Sequence, residues 1–287
     1  MNGYEYIISK QVNWALNQEI TLVKFKGDKG RATYTQNLKE NLFEPLLDEV
    51  YTNINNGGGG ELKENEFDLS KMQAVHSSSA LGVNIFQYWQ SINKASEIAA
   101  ACGFCREGNK ISEKIVFEDK YPIGTKLGTP NIDVVIHNSD SANYKVFAIE
   151  CKFSEAYGSR GHSGIDPKYL NQNDLWVDMP GLRSLAESIE KNDTIFEHLH
   201  PAQLIKHILG LNTNVGKDKF RLLYLWYDCP GEEGTLHRQE IQKFAAYTKM
   251  DKIKFHSMSY QELIIKLAKD YRESNKDYIS YITNRYL

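Results

Sequence analysis

The chain has 287 residues, 41% hydrophobic, 25% charged and 11% aromatic; this balance builds one large or two modest globular domains and excludes disordered, collagenous and disulfide-scaffold proteins. Its longest apolar run, Leu222 to Tyr227, falls far short of the roughly 20 residues that a membrane-spanning helix needs, so no membrane span is expected. With 34 lysines and arginines against 37 aspartates and glutamates, the net charge is −3, and contact with a polyanion must come from local patches.

Met1 to Ser9 shows neither the cationic segment nor the apolar stretch of a secretion signal. Four cysteines, Cys102, Cys105, Cys151 and Cys229, are too few for a disulfide framework in a chain of this length, so a cytoplasmic protein is expected. Cys102 and Cys105 have the Cys-x-x-Cys spacing of zinc and redox sites. No second ligand pair accompanies them, and the motif ends an alanine-rich helix instead of following a strand, so buried free thiols are expected there.

In chain order, Leu38, Leu42, Leu46 and Val50 at helical spacing predict an amphipathic helix over 36–53, kinked at Pro45. Asn55, Asn56, the glycines of 57–60 and the acidic stretch Glu61 to Asp68 predict a mobile linker over 55–70. The chain thus divides into an N-terminal helical extension (1–56), a flexible acidic linker (57–70) and a main domain (71–287). Ser77 is a natural cap for a helix running toward Trp89, and Ala95 to Cys102 continues as a second helix. The period then changes. Lys114 to Phe117, Ile132 to Ile136 and Tyr144 to Phe153 read as strands, the last two forming a hairpin around the polar turn 137–143. A Gly/Ser loop (157–164), helices over 181–191 and 202–211, a strand over 220–227 and helices over 238–248 and 259–271 complete the pattern. This order predicts an α/β fold with a central mixed β-sheet flanked by helices.

Residues two apart on a strand share a face, so Val146, Ala148, Glu150 and Lys152 point one way and Phe147, Ile149, Cys151 and Phe153 the other. The second set reads as core; the first ends in charges, which are expensive to bury unless paired or bound to an ion. Asp133 interrupts the preceding strand, and the hairpin returns the chain so that Asp133 and Glu150 converge. Two carboxylates beside a lysine suit magnesium, with manganese able to substitute; such an ion polarises a phosphate and activates a bound water. The ammonium would orient that water or help deprotonate it. Glu61-Leu-Lys63 and Glu118-Asp-Lys120 share the Glu-x-Lys spacing, but only Glu150-Cys151-Lys152 combines strand, alternation and an upstream aspartate.

The set Asp133, hairpin turn, Glu150-Cys151-Lys152 resembles the PD-(D/E)XK nuclease superfamily, over roughly residues 75 to 230. The resemblance implies a restriction-endonuclease-like core of αβββαβ order. It also implies Asp133 and Glu150 as metal ligands, the Cys151 carbonyl as a further ligand and Lys152 as the catalytic lysine. The proline expected directly before the aspartate is absent, with Ile132 in its place and Pro130 three positions before Asp133. His200, Gln203, Lys206 and His207 share one helix face. Gln203 is similar to a glutamine that in some members reaches the active site, and His207 stands where those members carry a tyrosine. Members often add an acid from the helix before the sheet, for which Glu97 and Glu118 compete. The segment His76 to Phe86 also resembles bacterial restriction-endonuclease-like proteins.

For nucleic acid, Lys24 and Lys26 belong to a basic, glycine-containing stretch, while Arg160, His162 and Lys168 follow the catalytic strand. The 17 tyrosines and 4 tryptophans include rings able to stack unpaired bases, although Tyr224 and Trp226 read as core. The leading expectation is a magnesium-dependent endonuclease acting on DNA in restriction or phage defence; restriction enzymes of the fold it resembles are frequently dimers, since cutting two strands takes two sites, and a homodimer is what that resemblance implies. The alternatives are a catalytically inactive nuclease-fold module that binds nucleic acid or partner proteins, and a hydrolase using His162, His200 or His207 with Cys151.

Overall fold

In the computed structural model, which describes residues 1–24, 30–64, 69–158 and 161–287, the chain opens with helix α1 (Gly3–Asn17). Asn2 caps it by accepting the Glu5 N–H at 2.8 Å. Strands β1 (Leu22–Lys24) and β2 (Ala32–Thr35) form a small antiparallel pair. Helices α2 (Asp48–Asn56), α3 (Ser78–Ser91) and α4 (Ala95–Ala101) lead into strands β3 (Ser112–Lys120), β4 (Asn131–Asn138) and β5 (Val146–Lys152). Then come α5 (Pro167–Leu170), α6 (Pro180–Ser188), α7 (Pro201–Val215), β6 (Phe220–Trp226), α8 (Glu232–Met250), β7 (Phe255–Ser259), α9 (Tyr260–Tyr271) and α10 (Lys276–Tyr286).

Among the described residues, β3 to β7 form one five-stranded sheet in sequential order, antiparallel from β3 to β5 and parallel from β5 to β7. The sheet is mixed, as predicted, and the helix, three strands, helix, strand order of the expected core is present. Ser77 caps α3 as expected, accepting the Ala80 N–H at 3.2 Å.

Two cores sandwich the sheet. On one face Phe147, Ile149, Cys151 and Phe153 of β5 pack with Leu81, Ile85 and Trp89 of α3, Ile98 of α4, Leu263 and Leu267 of α9 and Ile282 of α10. On the other, Val146 and Ala148 pack with Leu185 of α6, Ile205 and Ile208 of α7 and Phe244 of α8. The expectation that only one face of this strand is core is therefore corrected. Helices α6, α7 and α8, from the parallel crossovers, cover the second face, as parallel sheets require. Ile7, Leu42, Val50 and Ile54 from the first 56 residues share the first core with the sheet.

The predicted helix over 36–53 is also corrected. A short 3-10 turn at Leu38–Asn41 gives way to extended chain, and α2 begins only at Asp48. Pro45 lacks an amide hydrogen and disfavours a helical residue before it. Side chains of α3 take up the exposed backbone groups instead. Phe43 N–H donates to Asn84 Oδ1 at 2.7 Å, Leu47 N–H donates to Gln87 Oε1 at 3.1 Å, and the Gln87 amide donates to the Pro45 carbonyl at 3.0 Å. Asn55 and Asn56 close α2 rather than opening a loop.

Helix α1 belongs to the expected helical N-terminal extension, whereas the patterning predicts neither α10 nor the short strands β1, β2 and β7. A single buried side chain ties several of these parts together. Arg285, 1% exposed, donates to the Asn41 carbonyl at 2.9 Å, to Gln11 Oε1 at 3.1 Å and to Val75 O at 3.3 Å, and its guanidinium lies 3.9 Å from the Trp14 ring. Truncating it orphans several buried acceptors at once. Arg285→Ala should lower the unfolding free energy by about 3 kcal/mol, read from the urea midpoint at unchanged m-value.

Candidate active site

The β4–β5 ladder runs from His137 opposite Val146 to Val134 opposite Ile149 and stops there. One step on, the Cys151 N–H donates to Asp133 Oδ2 at 2.7 Å instead of to a β4 carbonyl. A strand residue turns its N–H and C=O to the same side, so the Cys151 carbonyl faces the same opening. The neighbouring pairing is distorted at the same level. Phe117 pairs with Val134 and Asp119 with Ile132, while Glu118 between them has φ +53°, a left-handed conformation that a side-chain-bearing residue holds only under surrounding constraint. Ile132 and Val134, two apart, bury in opposite cores, so the alternation of β4 is reset at Asp133.

The outcome is a small pocket of about 20 Å³, room for one water or ion, lined by Glu118, Asp133 and Cys151 from the strands, Ser78, Ser79 and Gly82 from α3 and Ile54 from α2. Glu150 is fully buried on the adjoining face. Lys152 Nζ lies 2.6 Å from Glu150 Oε1, an ion contact not aligned as a hydrogen bond, and His207 Nε2 of α7 lies 3.4 Å from Glu150 Oε2.

Burial is the first cause of every carboxyl shift here. It pushes Glu118 up to about 8, with the charges of Asp133, Glu150 and Glu61 adding to it and Lys152 opposing. Asp133 is raised by burial and by Glu150, against Lys152 and the Cys151 N–H. Glu150 is raised by burial despite Lys152. For Lys152, burial pulls the amine down, but Glu150, Glu155 and Asp133 outweigh it and hold it protonated. The amine is therefore a positive charge held among the carboxyl groups. Burial and the nearby Lys152 and Lys206 bring His207 down to about 3, so its ring is neutral.

Three carboxyl groups thus crowd one ammonium, and Glu150 Oε2 has no hydrogen-bond donor. That surplus of hard oxygen donors is the donor chemistry of magnesium or manganese. In the arrangement seen, no three His, Cys, Asp or Glu side chains among the described residues are gathered tightly enough to ligate one ion.

The other predicted positions divide. Gln203 lines a cleft with His200, Lys206 and His207, and so adjoins Glu150 through His207. Glu118, not Glu97, joins the carboxylate cluster. Glu97 sits in the first turn of α4, 3.1 Å from Lys94 Nζ, with Tyr271 of α9 in reach of its charge. His162 stacks on His200 with ring centroids 4.8 Å apart and approaches Asp193 at 3.8 Å. Lys168 is exposed, 3.5 Å from Asp166 Oδ2. Lys24 ends β1 on the separate two-stranded sheet. Lys26 and Arg160 lie outside the described residues. Cys151 faces Gly82 with its thiol pushed well above its ordinary range by burial, on the opposite side of the strand from His207, which therefore does not activate it. Cys102 and Cys105 are free thiols.

Glu155 carries no signal in the sequence, and Glu61 and Gly57 figure there only in a chance Glu-x-Lys match and a glycine-rich linker. Glu61 joins the cluster's charge and accepts from Ser79 Oγ at 3.3 Å; a chain that folds back over α3 is invisible in a run of acids. Gly57 packs so closely that a Cβ built there would sit 2.7 Å from Glu118 Oε2, and the Asn131 amide donates to its carbonyl. The glycine run expected as linker therefore braces Glu118 at this point.

A family model described as restriction endonuclease associating with ARP matches residues 9–287. No curated protein and no solved structure matches the chain.

Two outcomes follow from the cluster. Glu118 in the folded protein keeps its proton up to about 8, whereas unfolded it releases it near 4.5, so the native state binds the extra proton between those values and loses stability as pH rises through them. In EDTA, the thermal midpoint should fall from pH 5 to pH 8, and Glu118→Gln should flatten that slope. Gly57 has φ −62°, a conformation alanine adopts without strain, so Gly57→Ala should fold normally yet displace Glu118 and flatten the same pH slope in part.

Proposed function

The chain belongs to the restriction endonuclease associating with ARP family, with a restriction-endonuclease-like fold, and on that premise we propose that it is a magnesium-dependent endonuclease hydrolysing DNA phosphodiester bonds in restriction or phage defence. The observation that carries this reading is the convergence of Glu118, Asp133 and Glu150 with Lys152 where the β4 and β5 ladder opens. Glu118, Asp133, Glu150 and the Cys151 carbonyl would hold the ion, magnesium or manganese. Once bound, the ion supplies a lowered pKa for water and neutralises developing negative charge on phosphorus.

The chain's own side chains do the rest. Lys152 stays an ammonium and offsets charge on the phosphate oxygens as the pentavalent centre forms. It also holds Glu150 Oε1, while neutral His207 presents its ring to Oε2. Gln203, one turn earlier on α7, lines the approach to that pair. Lys24, Lys26, Arg160, His162 and Lys168 remain assigned to the nucleic-acid backbone. No helix among the described residues is long and apolar enough to cross a membrane. We assign the protein to the cytoplasm, as a homodimer on its duplex, and carry the association with ARP in the family's description to this chain as part of the proposal.

A second reading, a catalytically inactive module that binds nucleic acid or a partner protein, is favoured by one observation, the absence of a tight three-ligand group among the described residues. One assay separates them. Plasmid DNA with magnesium should be cut by the wild type and not in EDTA, and Asp133→Ala, Glu150→Ala and Lys152→Ala should each slow cutting about 100-fold or more. Equal cutting by all three variants would refute the assignment, and binding without any metal-dependent cutting would establish the second reading.

A further inference from the structure

His207, whose Nε2 faces Glu150, also lines an open cleft of about 420 Å³ that the carboxylate cluster does not use. Its volume lies in the range that encloses a nucleotide-sized ligand. One wall is Gly128 to Asn131, held in place where Gly128 N–H donates to Tyr169 Oη at 3.2 Å. The opposite wall is the face of α7 that carries Gln203 and Lys206 three residues apart.

These two side chains have no internal employment. Lys206 is partly buried, yet no carboxylate lies within ion-pair distance of it among the described residues. The nearby Lys168 adds positive charge and keeps its own acid, Asp166, 3.5 Å away. The Gln203 side-chain amide has no hydrogen bond among the described residues, while its backbone N–H donates to the His200 carbonyl at 3.2 Å. The His200 ring lines the same cleft and is stacked on His162, which fixes a flat surface at the mouth. An unpaired ammonium, an amide offering donor and acceptor together, and a braced ring are the three contacts by which proteins hold a phosphate, a base edge and a base face.

We propose that this cleft is a nucleotide subsite: Lys206 binds a phosphate next to the scissile one, and Gln203 reads the edge of an unstacked base against His200. The polymer to which that nucleotide belongs rests on the nuclease reading above. The subsite itself rests on the cleft and its unpartnered side chains.

The test is binding of a fluorescein-labelled single-stranded 12-mer DNA of mixed sequence in EDTA, titrated across potassium chloride concentrations. Each phosphate contact on a single strand contributes about 0.7 to the slope of log affinity against log salt. Lys206→Ala should therefore lower the slope by about 0.7, and Lys206→Arg should restore it, which a merely structural lysine would not do. Gln203→Ala should weaken binding about tenfold with the slope unchanged, as expected for loss of a base-edge contact. An unchanged affinity and slope in Lys206→Ala, or no binding by the wild type, would overturn the subsite. Magnesium-dependent cutting by the same proteins keeps the two readings apart. A wild type that binds with a Lys206-dependent slope but never cuts defeats the nuclease and leaves the subsite. A Lys206→Ala protein that binds and cuts as the wild type does defeats the subsite and leaves the nuclease.

Discussion

The arrangement of this protein turns on three carboxyl groups, Glu150 fully buried and Glu118 and Asp133 half-buried, gathered around one ammonium. Buried acids of like charge raise one another's proton affinity, and here Glu118, Asp133 and Glu150 do so against the pull of Lys152. Such a cluster would dissolve on a flexible scaffold, because each side chain would turn to solvent. It persists because β4, β5 and β6 lie in the interior of the sheet, with a packed core on either face. The hydrophobic layers fix the backbone, and the backbone fixes the charges.

Much of this was legible in the sequence, for identifiable reasons. Strand alternation is a local property, so the opposition of Glu150 and Lys152 to Phe147 and Ile149 could be read directly, and the hairpin turn brought Asp133 alongside. The distortion of β3 was not legible. Nothing in Phe117-Glu118-Asp119 announces a left-handed glutamate, since one such residue between paired neighbours leaves no mark on the residue pattern. Glu118-Asp-Lys120 therefore read as a chance match, although its glutamate joins the cluster. The same holds for the stretch around Pro45, where helical spacing was present but side chains of α3 offered the backbone better partners.

The two faces of the sheet divide the labour. The α3 side supplies the floor of the small ion-sized pocket through Ser78, Ser79 and Gly82. The α7 side supplies polar side chains on a helix whose other residues, Leu204, Ile205 and Ile208, are core. A neutral His207 in contact with Glu150 joins the halves without adding a further charge to a site already crowded with them.

The position of the cluster within the sheet also orders its own assembly. Asp133, Glu150 and Lys152 belong to one hairpin, and Glu118 to the strand beside it, so they meet through contacts close in sequence. The β5–β6 pairing and the docking of α7 join segments far apart along the chain, and such non-local contacts form late. The acids therefore come together within a locally formed unit; the docking of β6 and α7 then covers Glu150, while Glu118 and Asp133 stay half-buried in the pocket beneath α2 and α3.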